Sequence, residues 1–474
     1  QLCHLGGFLL QETLVWAAID AAAAFSFTSA RSLHSRFNLR PSAAIFRGPC
    51  TVSRRRSGGP VFSHASMAMD KKLVEFDLEV FFAKWEFEAE YLMCCSDAES
   101  MSMSDMIDLA DEEALLLWNS LQLGYTESQG LPLLREEIAK QYPGLASENV
   151  FCFAGAEEGI YAAMRSMLKK EDHVVVVTPC YQSLKSVADV LCQVSSVDLL
   201  QEESWRLDLD QLAAVMKSNT KMVVVNFPHN PTGALISEEE QDRLISLCRE
   251  KGAWLFSDEV YRGIEISEDV KRLPTAASKY EKGMSLGVMS KALGLAGLRV
   301  GWIASQDKKA LETLASYKHY LSICNSAPSE ILSLIALRNQ DKILAKNTAI
   351  VRHNFALLQS LLDKWSHLFD WTPPKAGCCG FVRYKGDGGS NNNNNNVGDF
   401  MPMALNLVEQ HGVLTLPGGF FPCEPARDRP YIDHFRVGFG RKNFPEVLEK
   451  FDAALRALEA TEGESRTKRQ RTKQ

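Results

Sequence analysis

The stretch Ser285–Ser305, SLGVMSKALGLAGLRVGWIAS, sets Lys291 in a glycine-rich loop between two apolar runs, with Arg299 eight residues downstream. The first run, Leu286 to Met289, delivers Ser290 and Lys291 to the loop, and the second follows Arg299. Strand, lysine, loop, arginine, strand is the pattern. It suits a lysine held rigidly for Schiff-base chemistry, with an arginine able to reach a nearby phosphate. A lysine amine becomes a nucleophile only where desolvation or a neighbouring cation lowers its pKa. A solvated loop lysine would carry the same local sequence, so residues elsewhere in the chain have to decide.

On both sides of this stretch, apolar strand-like runs alternate with helical text from Tyr125 onward. Strands are expected at Val150 to Phe153, Val174 to Val177, Met222 to Phe227, Ala253 to Phe256, Leu286 to Met289 and Val300 to Ala304. Helices are expected at Leu131 to Tyr142, Glu157 to Lys169 and Glu238 to Lys251. Strands apolar on both faces belong in a mostly parallel sheet buried between helices. The expected fold is therefore α/β, with a large doubly wound domain at 121–327. A long helical stretch, Pro328 to Trp365, leads into a smaller α+β domain at 328–462. Its expected strands are Gly380 to Tyr384, Gly412 to Leu416 and His434 to Phe439, with helices at Met401 to Gln410 and Pro445 to Ala460.

With 474 residues, 46% apolar and 23% charged, the chain has the make-up of an ordinary globular protein of two or three domains. A net charge of -7 argues against a nucleic acid or an anionic membrane as principal partner. The most apolar stretch, Leu9 to Phe27, is interrupted by Glu12 and Asp20, so no membrane span is expected. The twelve cysteines lack zinc-site spacing, which predicts free buried thiols and no metal.

Residues 1–69 read differently. Seven arginines and nine serines, with no acidic residue, lie between Ala21 and Met69, which is the make-up of an organelle transit peptide. Translation running upstream of a start at Met67 or Met69 would explain the same text. The first reading implies a plastid or mitochondrion, the second the cytoplasm. Residues 70–120 are helical and aromatic and are expected to pack on the small domain, with Trp85, Phe87 and Tyr91 as packing residues. The run Gly386 to Asn396 is a polar low-complexity loop, and 463–474 a basic tail.

Four further stretches carry chemistry. In Asn226 to Ala234, NFPHNPTGA, Asn230 stands beyond a strand end, where ligands sit in open α/β sheets. In Trp254 to Arg262, WLFSDEVYR, Asp258 ends a strand and Tyr261 follows three residues on. A buried carboxylate there needs a cationic partner, and a protonated ring nitrogen would serve. In Phe151 to Tyr161, FCFAGAEEGIY, the amides of Gly155, Ala156 and Glu157 form an anion site at a helix N-terminus. In Thr178 to Ser183, TPCYQS, Tyr181 either stacks on a planar ligand or caps a helix.

Together, these residues describe a site for a planar, phosphorylated, pyridine-like cofactor with a lysine in reach. Their order resembles that of the class I/II aminotransferases, pyridoxal-phosphate enzymes of fold type I, from about Tyr125 to Leu458. The resemblance implies that Lys291 forms the Schiff base and that Asp258 keeps the ring nitrogen protonated. Asn230 and Tyr261 would bond the ring oxygen, and Tyr181 would stack on the ring. Gly155 to Glu157, Ser290 and Arg299 would hold the phosphate. Tyr125 matches the tyrosine that reaches the neighbouring subunit's phosphate, which implies a homodimer. Arg436 of HFRVGFGR matches the arginine that binds the substrate carboxylate, with Arg441 as competitor, and Asn230 is also expected to bind the substrate. Amino acids and 2-oxo acids are the implied substrates.

Two positions depart from the family. Val288 stands where a phosphate-binding serine is usual, and CCSDAESMSM (Cys94 to Met103) replaces a glycine-rich turn that touches the substrate. The expected function is amino transfer through Lys291; β-elimination, β-replacement or cyclisation after the same Cα deprotonation is the alternative.

Overall fold

The computed structural model describes residues 72–386, 398–423 and 431–471. The expected leader at 1–69, nearly all of the low-complexity loop and the side chains of the basic tail lie outside the described residues.

The strands, in chain order, are β1 (Tyr91–Leu92), β2 (Val150–Phe153), β3 (His173–Thr178), β4 (Gln193–Asp198), β5 (Thr220–Asn226), β6 (Trp254–Asp258) and β7 (Gly283–Val288). They continue with β8 (Gly301–Ser305), β9 (Phe369–Trp371), β10 (Cys379–Tyr384), β11 (Val413–Leu414), β12 (Leu416–Pro417) and β13 (His434–Gly438). The large sheet has seven strands in the order β2-β8-β7-β6-β5-β3-β4. Pairs among β3 to β7 are parallel, while β8 runs antiparallel to both β7 and β2. Each residue of β3, HVVVVT, is buried, as is each of β6 and β7, because helices cover both faces.

This topology carries the chemistry. The carboxyl ends of β2, β3, β5, β6 and β7 lie along one sheet edge, and β8, running the other way, starts there. Gly155, Tyr181, Asn230, Asp258, Lys291 and Arg299 therefore share one crevice although up to 144 residues separate them in sequence.

The smaller sheet is antiparallel, in the order β12-β13-β10-β9. The helices Gln340–Lys364, Met401–His411 and Phe444–Arg471 pack beside it. Its core is aromatic: Phe400 stacks on Phe435 with centroids 4.2 Å apart, and Phe435 meets Phe369 edge-on.

Several expectations need correction. The strand expected at Gly412 to Leu416 is two short strands in different sheets, because β11 pairs with β1 and β12 with β13. The long helix expected from Pro328 breaks at Asn339 into Ala327–Arg338 and Gln340–Lys364. The segment 70–120 is only partly helical: after the helix Asp77–Trp85, the chain runs extended through β1 and Met93 to Ser102. Phe87 is not a packing residue; it is 88% exposed. The strand β4, QVSSVD, was not expected at all.

Candidate active site

A cavity of about 440 Å3 lies at the carboxyl edge of the large sheet, lined by Ala156, Glu157, Tyr181, Asn230, Asp258, Tyr261, Ser290, Lys291 and Arg299. Val288 and Asn226 also line it, as do Phe76 and Glu79 at the start of the helix Asp77–Trp85. All the residues expected at the ring and the phosphate line this one cavity except Gly155, which adjoins it through Ala156.

Asp258 ends β6 at 5% exposure. Its Oδ1 accepts one backbone bond, from Val260 N at 3.2 Å. Burial pushes the carboxyl up to about 7, against the backbone bond and the attraction of Lys291. A carboxylate so placed gains from a cationic partner. Asn226 and Asp258 are in register on adjacent strands, and Asn226 Nδ2 donates to Asp258 O at 2.9 Å, which fixes the turn that follows. Asn226 Oδ1 in turn accepts from Asn230 N at 2.8 Å.

Lys291 follows β7, and its Nζ donates to Ser96 Oγ at 3.2 Å. Ser290, beside it, is buried, and its hydroxyl has no hydrogen-bond partner. The Tyr261 hydroxyl is likewise buried without a partner of good geometry, beside Ser96. Buried hydroxyls without partners cost free energy, so a bound group that pairs with them is favoured.

At the helix Ala156–Met167, the expected anion site is narrower than the sequence suggested. The Gly155 amide is spent on Phe153 O at 2.8 Å, which leaves those of Ala156 and Glu157. Gly155 has φ 93°, and a Cβ there would stand 2.7 Å from Arg299 Nη2. A side chain there would therefore collide with the Arg299 guanidinium. Arg299 itself has φ 51°, a conformation that residues other than glycine rarely hold. Burial raises the Glu157 carboxyl to about 7, with Ser183 Oγ donating to it at 2.9 Å.

Tyr181 occupies the N-cap position of the helix Gln182–Leu191 without a side-chain capping bond. Its hydroxyl donates to Glu79 Oε1 at 2.7 Å, and its ring packs against Phe76. The capping alternative is thus not what the side chain does.

Arg436 and Arg441 differ in what they hold. Arg441 is committed to Asp97, with Nη2 at 3.0 and 2.9 Å from the two carboxylate oxygens. Arg436 is 2% exposed and donates only to neutral acceptors, Asn230 Oδ1 at 3.1 Å and Cys94 O at 2.9 Å. Its Nε has no partner. Phe82 and Phe421 lie within 5.9 Å of the guanidinium, and among the described residues no carboxylate pairs with this buried cation. Tyr125 lies apart from the cavity residues and is 90% exposed.

Sequence reasoning missed Ser96, Glu79 and Asn226. Asn226 could have been found, since it ends β5 as Asp258 ends β6. No local signal marks Ser96 or Glu79.

The model for aminotransferase class I and II matches residues 97–447. Capreomycidine synthase of Streptomyces vinaceus is 29% identical over 314 residues, 66% of this chain and 75% of that protein. A PLP-dependent aminotransferase structure from Streptococcus suis matches with TM-score 0.73 and 26% identity, covering 82% of this chain and 99% of that one. The structure of the PLP-dependent cyclase OrfR matches with TM-score 0.72 and 25% identity, covering 83% and 100%.

The residues present fit that cofactor. A buried carboxyl that forms no salt bridge among the described residues suits a protonated pyridine nitrogen, and unpaired hydroxyls, helix amides and Arg299 suit a phosphate and a phenolic oxygen. The chain belongs to the class I and II aminotransferase family and is a pyridoxal-phosphate-dependent enzyme.

Proposed function

We propose that this enzyme moves the amino group of an α-amino acid to a 2-oxo acid, with Lys291 as the lysine that holds the cofactor. The observation that carries this reading is the Lys291 amine and the buried Asp258 carboxyl at one cavity, with the Arg436 guanidinium bonded to Asn230 of its wall.

When bound, pyridoxal phosphate supplies a covalent carrier for the amine and an electron sink that acidifies the substrate Cα–H. Asp258 neutralises the ring nitrogen; Asn230 and Tyr261 stand by for the ring oxygen, and Tyr181 for the ring face. Ser290, Arg299 and the Ala156 and Glu157 amides hold the phosphate, which compensates for Val288. Arg436 takes the substrate carboxylate as a bidentate pair, which fixes how the Cα–H bond is presented. The Lys291 amine, once released, takes the Cα proton as general base. The exposed Tyr125 supports a homodimer in which it serves the partner's phosphate.

A second reading, cyclisation or elimination after the same deprotonation, draws support from two relatives named as a synthase and a cyclase. The departure of Cys94 to Met103 from the expected turn adds to it. Incubation with single amino acids and no 2-oxo acid separates the two. Amino transfer yields 2-oxo acid in an amount limited to the enzyme present, without ammonia. Continued turnover with ammonia or a ring-closed product would refute the first reading.

A further inference from the structure

The segment Met93 to Glu99 is the part of this site that no family expectation covers, and it touches both Arg436 and Lys291. Cys94 O accepts from Arg436 Nη2 at 2.9 Å, and two residues later Ser96 Oγ accepts from Lys291 Nζ at 3.2 Å. Ser96 is 8% exposed and also faces Tyr261.

The backbone there is pinned from several sides. Gly438 N donates to Met93 O at 2.8 Å, Ala98 N donates to Lys291 O at 3.1 Å, and Cys378 Sγ donates to Ser96 O at 3.3 Å. Asp97 is held by Arg441. At Gly438, a Cβ would overlap Cys95 O at 1.5 Å, so the segment lies directly on that glycine. The backbone that carries Ser96 is thus held by bonds that do not involve the Lys291 side chain.

We propose that Ser96 is a positioning residue for Lys291: it holds the lysine amine at the site whenever that amine is not carrying the cofactor. This rests on the reading of Lys291 as the proton-transferring base. A lysine on four methylenes has many conformers, and a base is effective only when held within reach of its proton. A hydroxyl suits the task because it accepts from an ammonium and donates to a neutral amine by rotating its O–H. A carboxylate in its place would favour the ammonium and oppose the base. In the step concerned, the proton leaves Cα for Lys291 Nζ and the bonding pair stays with the substrate and cofactor. Ser96 changes only from donor to acceptor.

The test is exchange of the Cα hydrogen in deuterium oxide, catalysed by the holoenzyme. The common L-amino acids are screened, and the fastest-exchanging one is carried forward. Ser96→Ala is expected to slow exchange about tenfold, the equivalent of one net hydrogen bond, with KM and melting temperature unchanged. Ser96→Thr, which keeps the hydroxyl, is expected to restore it. In the full-length chain freed of cofactor, Lys291 should react faster with trinitrobenzenesulfonate in Ser96→Ala than in the native protein, read by peptide mass. Exchange in Ser96→Ala within about twofold of native overturns the proposal. So does equal slowing in Ser96→Ala and Ser96→Thr, which would mean a packing role. If Lys291→Ala still exchanges at the native rate, the assignment of Lys291 fails instead.

Discussion

Replacing Asp258 by asparagine removes one buried charge while nearly preserving shape, and the cost of that charge can be worked out. Burial raises the carboxyl from 3.8 to about 7. About three pKa units at 1.36 kcal/mol each make ionisation of the folded, cofactor-free protein unfavourable by about 4 kcal/mol. The sign follows from the raised value: the unfolded chain releases this proton first, so stability is highest below the unfolded pKa. It declines as pH rises toward about 7 and stays at the reduced level above that. Glu157 and Glu330, also raised to about 7, act in the same direction, so the native protein alone cannot isolate Asp258. The difference between native protein and Asp258→Asn does. Urea unfolding of the cofactor-free forms at about pH 5 and about pH 8 should show the native protein losing about 3 kcal/mol more than the variant. Adding pyridoxal phosphate should flatten the native slope, because the ring nitrogen supplies the missing cation. Identical pH dependence in the two proteins would refute the claim that this carboxyl is held uncompensated.

Gly155→Ala should destabilise the fold by about 1–3 kcal/mol and weaken cofactor retention, since its Cβ meets Arg299 at a positive φ; melting and dialysis measure both. Arg436→Lys should raise KM for the amino acid about a hundredfold, the loss of a bidentate charged pair, with little change in cofactor content. In Lys291→Ala, borohydride should no longer fix the cofactor to the chain, although the cofactor still binds; retained covalent labelling would remove the lysine assignment.

The large sheet was legible because its strands are buried on both faces, so runs such as Val174 to Val177 carry no polar interruption. The strand β4 was not, since QVSSVD lies at the sheet edge, pairs only with β3 and starts at an exposed Gln193. That the site residues gather was legible for a related reason: Asp258 closes a strand, Tyr181, Asn230 and Lys291 follow strand ends, and parallel topology brings such ends along one edge. Which arginine stays unneutralised was not legible, because it depends on Asp97 reaching Arg441 across 344 residues. Ser96 was hidden for the same reason, 195 residues from the lysine it meets. The split of the strand expected at Gly412 to Leu416 arises from the N-terminal segment, whose Tyr91 and Leu92 pair with Val413 and Leu414 and draw them away from the small sheet.

The fate of the amino nitrogen distinguishes amino transfer from the other reactions. The enzyme is given an amino acid labelled at its α-nitrogen together with an unlabelled 2-oxo acid, and the products are analysed by mass. Amino transfer predicts the label in the new amino acid formed from the 2-oxo acid, with none in free ammonia. Label in ammonia, or retained in a ring-closed derivative of the first amino acid, would contradict it.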